Sequence, residues 1–180
     1  MAEIKDNLRI MIAAAAAFPD YQMVIAGAPG VPPSFYDPYR SDRRVSVVFG
    51  KTYRLLQQAR AALVTSGTAT LETALLRVPQ VVGYYMRGGQ FTYALFRPLI
   101  KVDYVSLVNL IADAPVVPEL LGHHFSPEEA RRCLAPLLDD TPERAAMLRG
   151  DDDVAARVGE PGDAERAARL IVERVAAGCR

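Results

Sequence analysis

The residues best suited to chemistry stand where an apolar run passes straight into a helical pattern: Leu63, Val64, Thr65, Ser66, Gly67, Thr68, Ala69, Thr70, Leu71 and Glu72. Gly67 lets the backbone approach a ligand closely, and Ser66 and Thr68 add hydroxyls. The amides of Gly67, Thr68 and Ala69 would point outward at the positive end of a helix dipole. Phosphate groups suit that arrangement. Glu72, one turn further in, offers an acceptor to a ribose diol. A plain helix cap accounts for the same residues, with Glu72 as the acid of a capping box counted from Thr68 or a neighbour. A hydrolase elbow, with Ser66 as nucleophile and His123 or His124 as base, fits poorly, because Val64 stands where that motif needs glycine.

Other glycine-bearing loops supply further candidates. Gly27, Ala28, Pro29 and Gly30 follow one apolar run, and Tyr84, Tyr85, Met86, Arg87, Gly88 and Gly89 follow another. Each serves as a nucleotide contact or a turn; for Gly27 and Gly30 the turn reading is favoured. The Arg87 guanidinium can clamp phosphate, or simply be solvated. Asn109, a polar amide in an apolar stretch, must find partners, by capping the helix that follows or by reaching a ligand. His123 and His124 are adjacent, so their side chains should diverge, and with no third ligand near in sequence a metal site is not expected.

The elements that must hold these residues alternate. Ile4, Leu8, Met11 and Ile12 recur at helical spacing and lead into an alanine run to Ala17. Pro19 and Asp20 stop that helix. Apolar runs at Tyr21–Ala26, Val45–Phe49, Ala61–Val64, Gln80–Tyr84 and Tyr104–Leu107 read as strands. Helical stretches at Thr52–Ala59, Thr68–Arg77 and Gln90–Ile100 separate them. Strands joined by helices must run parallel with right-handed crossovers, which predicts a doubly wound, Rossmann-like α/β sheet. Ligands then bind beyond the carboxyl ends of the strands. Ser126, Pro127 and Glu129 signal a helix to about Leu138. Thr141 and Pro142 repeat the signal, and a third helix is expected over Asp163–Ala177 with Gly178 as its cap. The acidic, glycine-punctuated Gly150–Gly162 reads as a connector or a frayed helix. The division expected is a lobe over 1–140 and C-terminal helices over 141–180.

Composition narrows the classes. The 180 residues are 51% hydrophobic and 23% charged, which suits one globular domain or one lobe of a larger enzyme. Twenty-one Lys and Arg balance twenty-one Asp and Glu, so no long-range field gathers nucleic acid. Cys133 and Cys179, far apart and without a CxxC, argue against a disulfide scaffold or structural zinc. The charged start lacks a signal-peptide core, and no run approaches the about 20 apolar residues of a spanning helix. The cytoplasm is the expected address. The stretch Gln90–Lys101, rich in aromatic and aliphatic residues with Arg97 and Lys101, either packs on the sheet or seats in lipid headgroups.

The run TSGTATLETALLRVPQVVGYYMR, then KVDYVSLVNLIAD and VVPELLG, resembles the C-terminal half of the lipid-A-disaccharide synthase family, most closely its Bacteroidetes-like form. Ser66, Gly67, Thr68 and Glu72 match the family's Ser-Gly-Thr-x-x-x-Glu loop. Asp103, Tyr104, Ser106, Leu107 and Asn109 match its Asp-Tyr-x-Ser-Leu-x-Asn segment, and Glu3–Asn7 an opening Glu-Ile-Lys-Asp-Asn. The match extends to about residue 140. The resemblance implies a metal-independent glycosyltransferase of two Rossmann-like lobes (GT-B type). It would move 2,3-diacylglucosamine from UDP to 2,3-diacylglucosamine 1-phosphate at the cytoplasmic face of the inner membrane. This lobe would hold the UDP end of the donor: Gly67 and Thr68 on diphosphate, Glu72 on ribose, Asn109 on the sugar or its phosphate. The family's N-terminal lobe, with the general base and a Gly-Ser-Arg loop just before Glu3, has no counterpart here, which points to a truncated piece, a split gene or a misplaced start. Nucleotide binding without appreciable turnover is then expected. A non-catalytic interaction module, or the lobe of a UDP-sugar epimerase, are the alternatives. Peripheral membrane contact and a homo-oligomer are both compatible with the resemblance.

Overall fold

A computed structural model describes residues 2–65, 67–85, 104–159 and 162–178. The first helix, α1 (Ala2–Ala15), leads into β1 (Met23–Gly27), and a 3-10 segment over Pro33–Ser41 connects it to β2 (Val45–Phe49). Next come α2 (Thr52–Leu56), β3 (Ala62–Val64), α3 (Thr68–Leu75) and β4 (Gln80–Tyr84). The chain then passes through α4 (Leu107–Ala112), β5 (Glu119–Leu121), α5 (Pro127–Leu138), α6 (Pro142–Val158) and α7 (Asp163–Gly178).

All the strand pairs among the described residues are parallel, as the alternation of elements requires. They fall into two sheets rather than one: β1 pairs with β2, and β3, β4 and β5 form a second sheet with β4 in the centre. The register sets Val64 beside Val82 and Tyr84 beside Leu121, so the carboxyl ends of β3, β4 and β5 share an edge. Residues Gln80 to Gly83 of β4 are all buried, the signature of a strand covered on both faces. Gly83 is required there by space, since a Cβ would stand 2.3 Å from the Phe125 ring.

Helices α3, α4 and α6 pack together as one layer, and α1 packs with α5 as another. Met11 and Ala14 of α1 belong to the larger core with Val81, Val82, Val108, Phe125, Leu134 and Leu137. Ile4, Leu8, Ile12 and Ala15 pack against the smaller core around Met23, Ile25, Val31, Tyr36 and Val45. One helix therefore serves both sheets.

Three expectations are corrected. Tyr104–Leu107 is not a strand: Leu107 opens α4, capped by the Ser106 hydroxyl, which accepts from the Asn109 amide at 3.2 Å, and the fifth strand is the short Glu119–Leu121. A short apolar run does not distinguish a buried strand from a buried helix. The stretch from Gly150 does not fray either; α6 continues through it to Val158, because Asp151 and Val154 are buried in the core. The caps at Ser126 and Thr141 are found, each hydroxyl accepting the amide three residues on, at 3.2 and 3.1 Å. Glu129 completes no capping box and instead pairs with Arg132 at 2.6 Å. The stretch Gln90–Lys101 lies outside the described residues. No helix among the described residues is long and apolar enough to cross a membrane.

Candidate functional site

The turn from β3 into α3 is built on one unusual backbone angle. Gly67 has φ +133° and ψ −164°, a region that side chains rarely adopt, and open space lies where its Cβ would stand. Its carbonyl is held twice by Thr70, from the amide at 3.1 Å and the hydroxyl at 2.8 Å. Thr70 is fully buried, and its own carbonyl accepts from the Gln80 side chain at 2.8 Å. A buried relay from the start of β4 thus fixes the peptide plane of the loop. Gly67 serves as N-cap without a side chain to offer, and the capping box through Glu72 does not form. The amides of Gly67, Thr68 and Ala69, all three exposed residues, have no hydrogen-bond partner among the described residues. An anion at the start of α3 would satisfy such donors.

Glu72, half-buried one turn into α3, faces a residue not foreseen from the sequence. Its charge holds the exposed Tyr53 phenol of α2 above the ordinary tyrosine range. Tyr53 also lines an open depression of about 480 Å³ with Gly50, Lys51, Thr52 and Arg54. An aromatic face beside a carboxylate is suited to a nucleoside. Nineteen positions separate Tyr53 from Glu72, so neither helical nor strand periodicity could have paired them.

The first turn of α1 reaches the same edge. Buried Asn7 accepts from the Tyr85 amide at 2.8 Å, and the Glu3 carboxylate, with burial, raises the pKa of the Tyr84 phenol. The motif residues Glu3 and Asn7 thus latch α1 onto the exit of β4.

The remaining candidates divide. Ser66 and Arg87 lie outside the described residues. Gly27 ends β1 in the other sheet, where the Phe49 ring occupies the place of its side chain, at 2.2 Å from an added Cβ. Packing accounts for that glycine. Asn109 is 1% exposed and its carboxamide is spent internally. It accepts from the Val117 amide, donates to the Val117 carbonyl and donates to Glu119, each at 2.9 Å. His123 and His124 do not diverge; their rings lie 3.9 Å apart on the exposed 3-10 turn after β5. No cluster of three or more His, Cys, Asp or Glu suited to a metal is present among the described residues.

A parallel α/β lobe with flanking helices, whose carboxyl edge carries a glycine-turned loop opening a helix, has the architecture of the Rossmann-like lobe of a GT-B glycosyltransferase. Comparison with known proteins is more specific. The family model described as Lipid-A-disaccharide synthetase matches residues 3–165, and the chain belongs to the lipid-A-disaccharide synthase family. The match runs further than the sequence motifs alone, into the start of α7. The chain is 38% identical over 178 residues to the lipid-A-disaccharide synthase of Anaeromyxobacter dehalogenans (strain 2CP-C), covering 95% of this chain and 46% of that protein. Against the Myxococcus xanthus enzyme of the same name it is 36% identical over 188 residues, 99% of this chain and 48% of that one. Against that of Sodalis glossinidius it is 50% identical over 90 residues. The chain spans about half the length of the first two.

Proposed function

We propose that this chain is the donor-binding lobe of a lipid-A-disaccharide synthase. In this reading residues 1–140 form the nucleotide-binding part and residues 141–180 its helical extension. It holds the UDP end of UDP-2,3-diacylglucosamine, while an acceptor lobe brings 2,3-diacylglucosamine 1-phosphate, at the cytoplasmic face of the inner membrane. The observation that carries the reading is that the amides of the exposed residues Gly67, Thr68 and Ala69 have no hydrogen-bond partner among the described residues, on a loop whose carbonyl side is fixed by Thr70 and Gln80. The diphosphate takes those amides. Glu72 takes the ribose hydroxyls, and the depression at Gly50–Arg54, walled by Tyr53, takes the base. No metal is assigned to the site, because amides and the helix dipole supply the positive field.

The acceptor hydroxyl needs a base and the departing diphosphate a cation placed at the reacting atoms, and in this reading Glu72 is committed to the ribose and the acceptor lobe supplies the base. Transfer by the chain alone is therefore expected to be negligible. Titrating UDP into the labelled chain should shift the Gly67, Thr68 and Ala69 amide resonances, and Glu72→Ala should weaken binding by about tenfold. Millimolar UDP that moves none of them would sink the proposal, and an unchanged affinity in Glu72→Ala would remove the ribose assignment.

A further inference from the structure

The Glu119 carboxylate, at the first residue of β5, collects donors from the start of α4, 10 to 14 positions earlier in the chain. One oxygen accepts from the Val105 amide at 2.9 Å. The other accepts from the Ser106 amide at 2.8 Å and from the Asn109 side chain at 2.9 Å. Ser106 is fully buried, and Asn109 is bonded on both sides of Val117. The entry of α4 is thus locked onto β5 by charge-assisted hydrogen bonds, which are stronger than neutral ones.

That lock has a consequence beyond α4. A helix of six residues does not hold its own position, so the place of α4 is set by what pins it. Helix α4 packs directly against α3, and α6 backs both. Helix α3 has no side-chain cap of its own, so its first turn takes its direction from the Thr70 and Gln80 relay and from the neighbours it packs on.

We infer that Glu119 is a positioning residue for the Gly67–Ala69 amides, acting with Asn109 through the packed pair α4 and α3, and that neither side chain touches the nucleotide. This rests on the donor-lobe reading and deepens it. Glu119→Gln keeps the side chain's shape but turns one acceptor into a donor facing N–H groups, so the fork cannot form. Glu119→Ala removes it.

The test uses the full chain, UDP as ligand, and amide spectra recorded at a temperature where each variant is fully folded. Glu119→Gln is expected to move the Gly67–Ala69 resonances before any ligand is added, and to weaken UDP binding by about tenfold. A lower thermal midpoint with unchanged affinity and unmoved Gly67–Ala69 resonances would make Glu119 merely structural and overturn the inference. If Glu119→Ala fails to fold, the Gln variant decides alone. If the wild type ignores UDP, the donor-lobe reading fails by itself, and the ligand-free spectra of Glu119→Gln still report whether Glu119 aims the loop.

Discussion

The two sheets bury different chemistry. Around β1 and β2 the core is aliphatic and aromatic: Met23, Ile25, Val31 and Val45 with Tyr36, whose ring meets Phe35 and Phe49 edge-on at 5.1 and 5.6 Å. The half built on β3, β4 and β5 buries Thr70, Thr73, Gln80, Ser106, Asn109 and Asp151, and Asn7 reaches into it from α1. Buried polar groups cost free energy unless paired, and they fix orientation when they are. Apolar packing suffices where the sheet only has to be covered. Directional bonds accumulate where backbone amides must be aimed.

The largest test of that contrast is Asp151, the one carboxyl buried at 1% exposure with both oxygens unpartnered among the described residues. Burial pushes it up to about 7 against the opposing pull of Arg77. Because the folded value lies above the unfolded one, the folded state favours the protonated form. Stability from this group is therefore greatest below about pH 4, declines as pH rises toward 7, and levels off above. The difference between wild type and Asp151→Asn, followed by urea unfolding, should change by on the order of 3 kcal/mol between pH 4 and pH 8, with the variant gaining relative to wild type at high pH. A pH-independent difference would show that this carboxyl is solvated.

Asn109→Ala is expected to cost about 3 kcal/mol, since it strands the Val117 amide and carbonyl in the core. Its counterpart on the apolar side is Tyr36→Phe, which removes only the hydroxyl that accepts from the Ala28 amide at 2.9 Å, at a cost of about 1 kcal/mol. Urea midpoints of the two variants compare the halves directly. Equal losses would erase the distinction between them.

How much of this was legible in the sequence follows the same division. The strand Gln80–Tyr84, the caps at Ser126 and Thr141 and the glycine turn at Gly67 depend on local pattern, and the structure has them where the pattern put them. What escaped depends on partners far along the chain. Tyr53 meets Glu72 from another helix, and Gln80 reaches Thr70 across a crossover. Asn109 turned inward because Val117, just before β5, offers it backbone groups and Glu119 a carboxylate that no spacing rule announces. Gly150, read as punctuation, sits inside α6 because Val116 fills the place of its missing side chain, 2.5 Å from an added Cβ.

Sharing α1 between the two sheets gives them a common fate. With Met11 and Ala14 committed to one cluster and Leu8 and Ile12 to the other, neither cluster can dissolve without unseating the helix on which its companion leans. The lobe is therefore expected to melt as one cooperative body, and the Gly67 turn shares in a rigidity to which both clusters contribute.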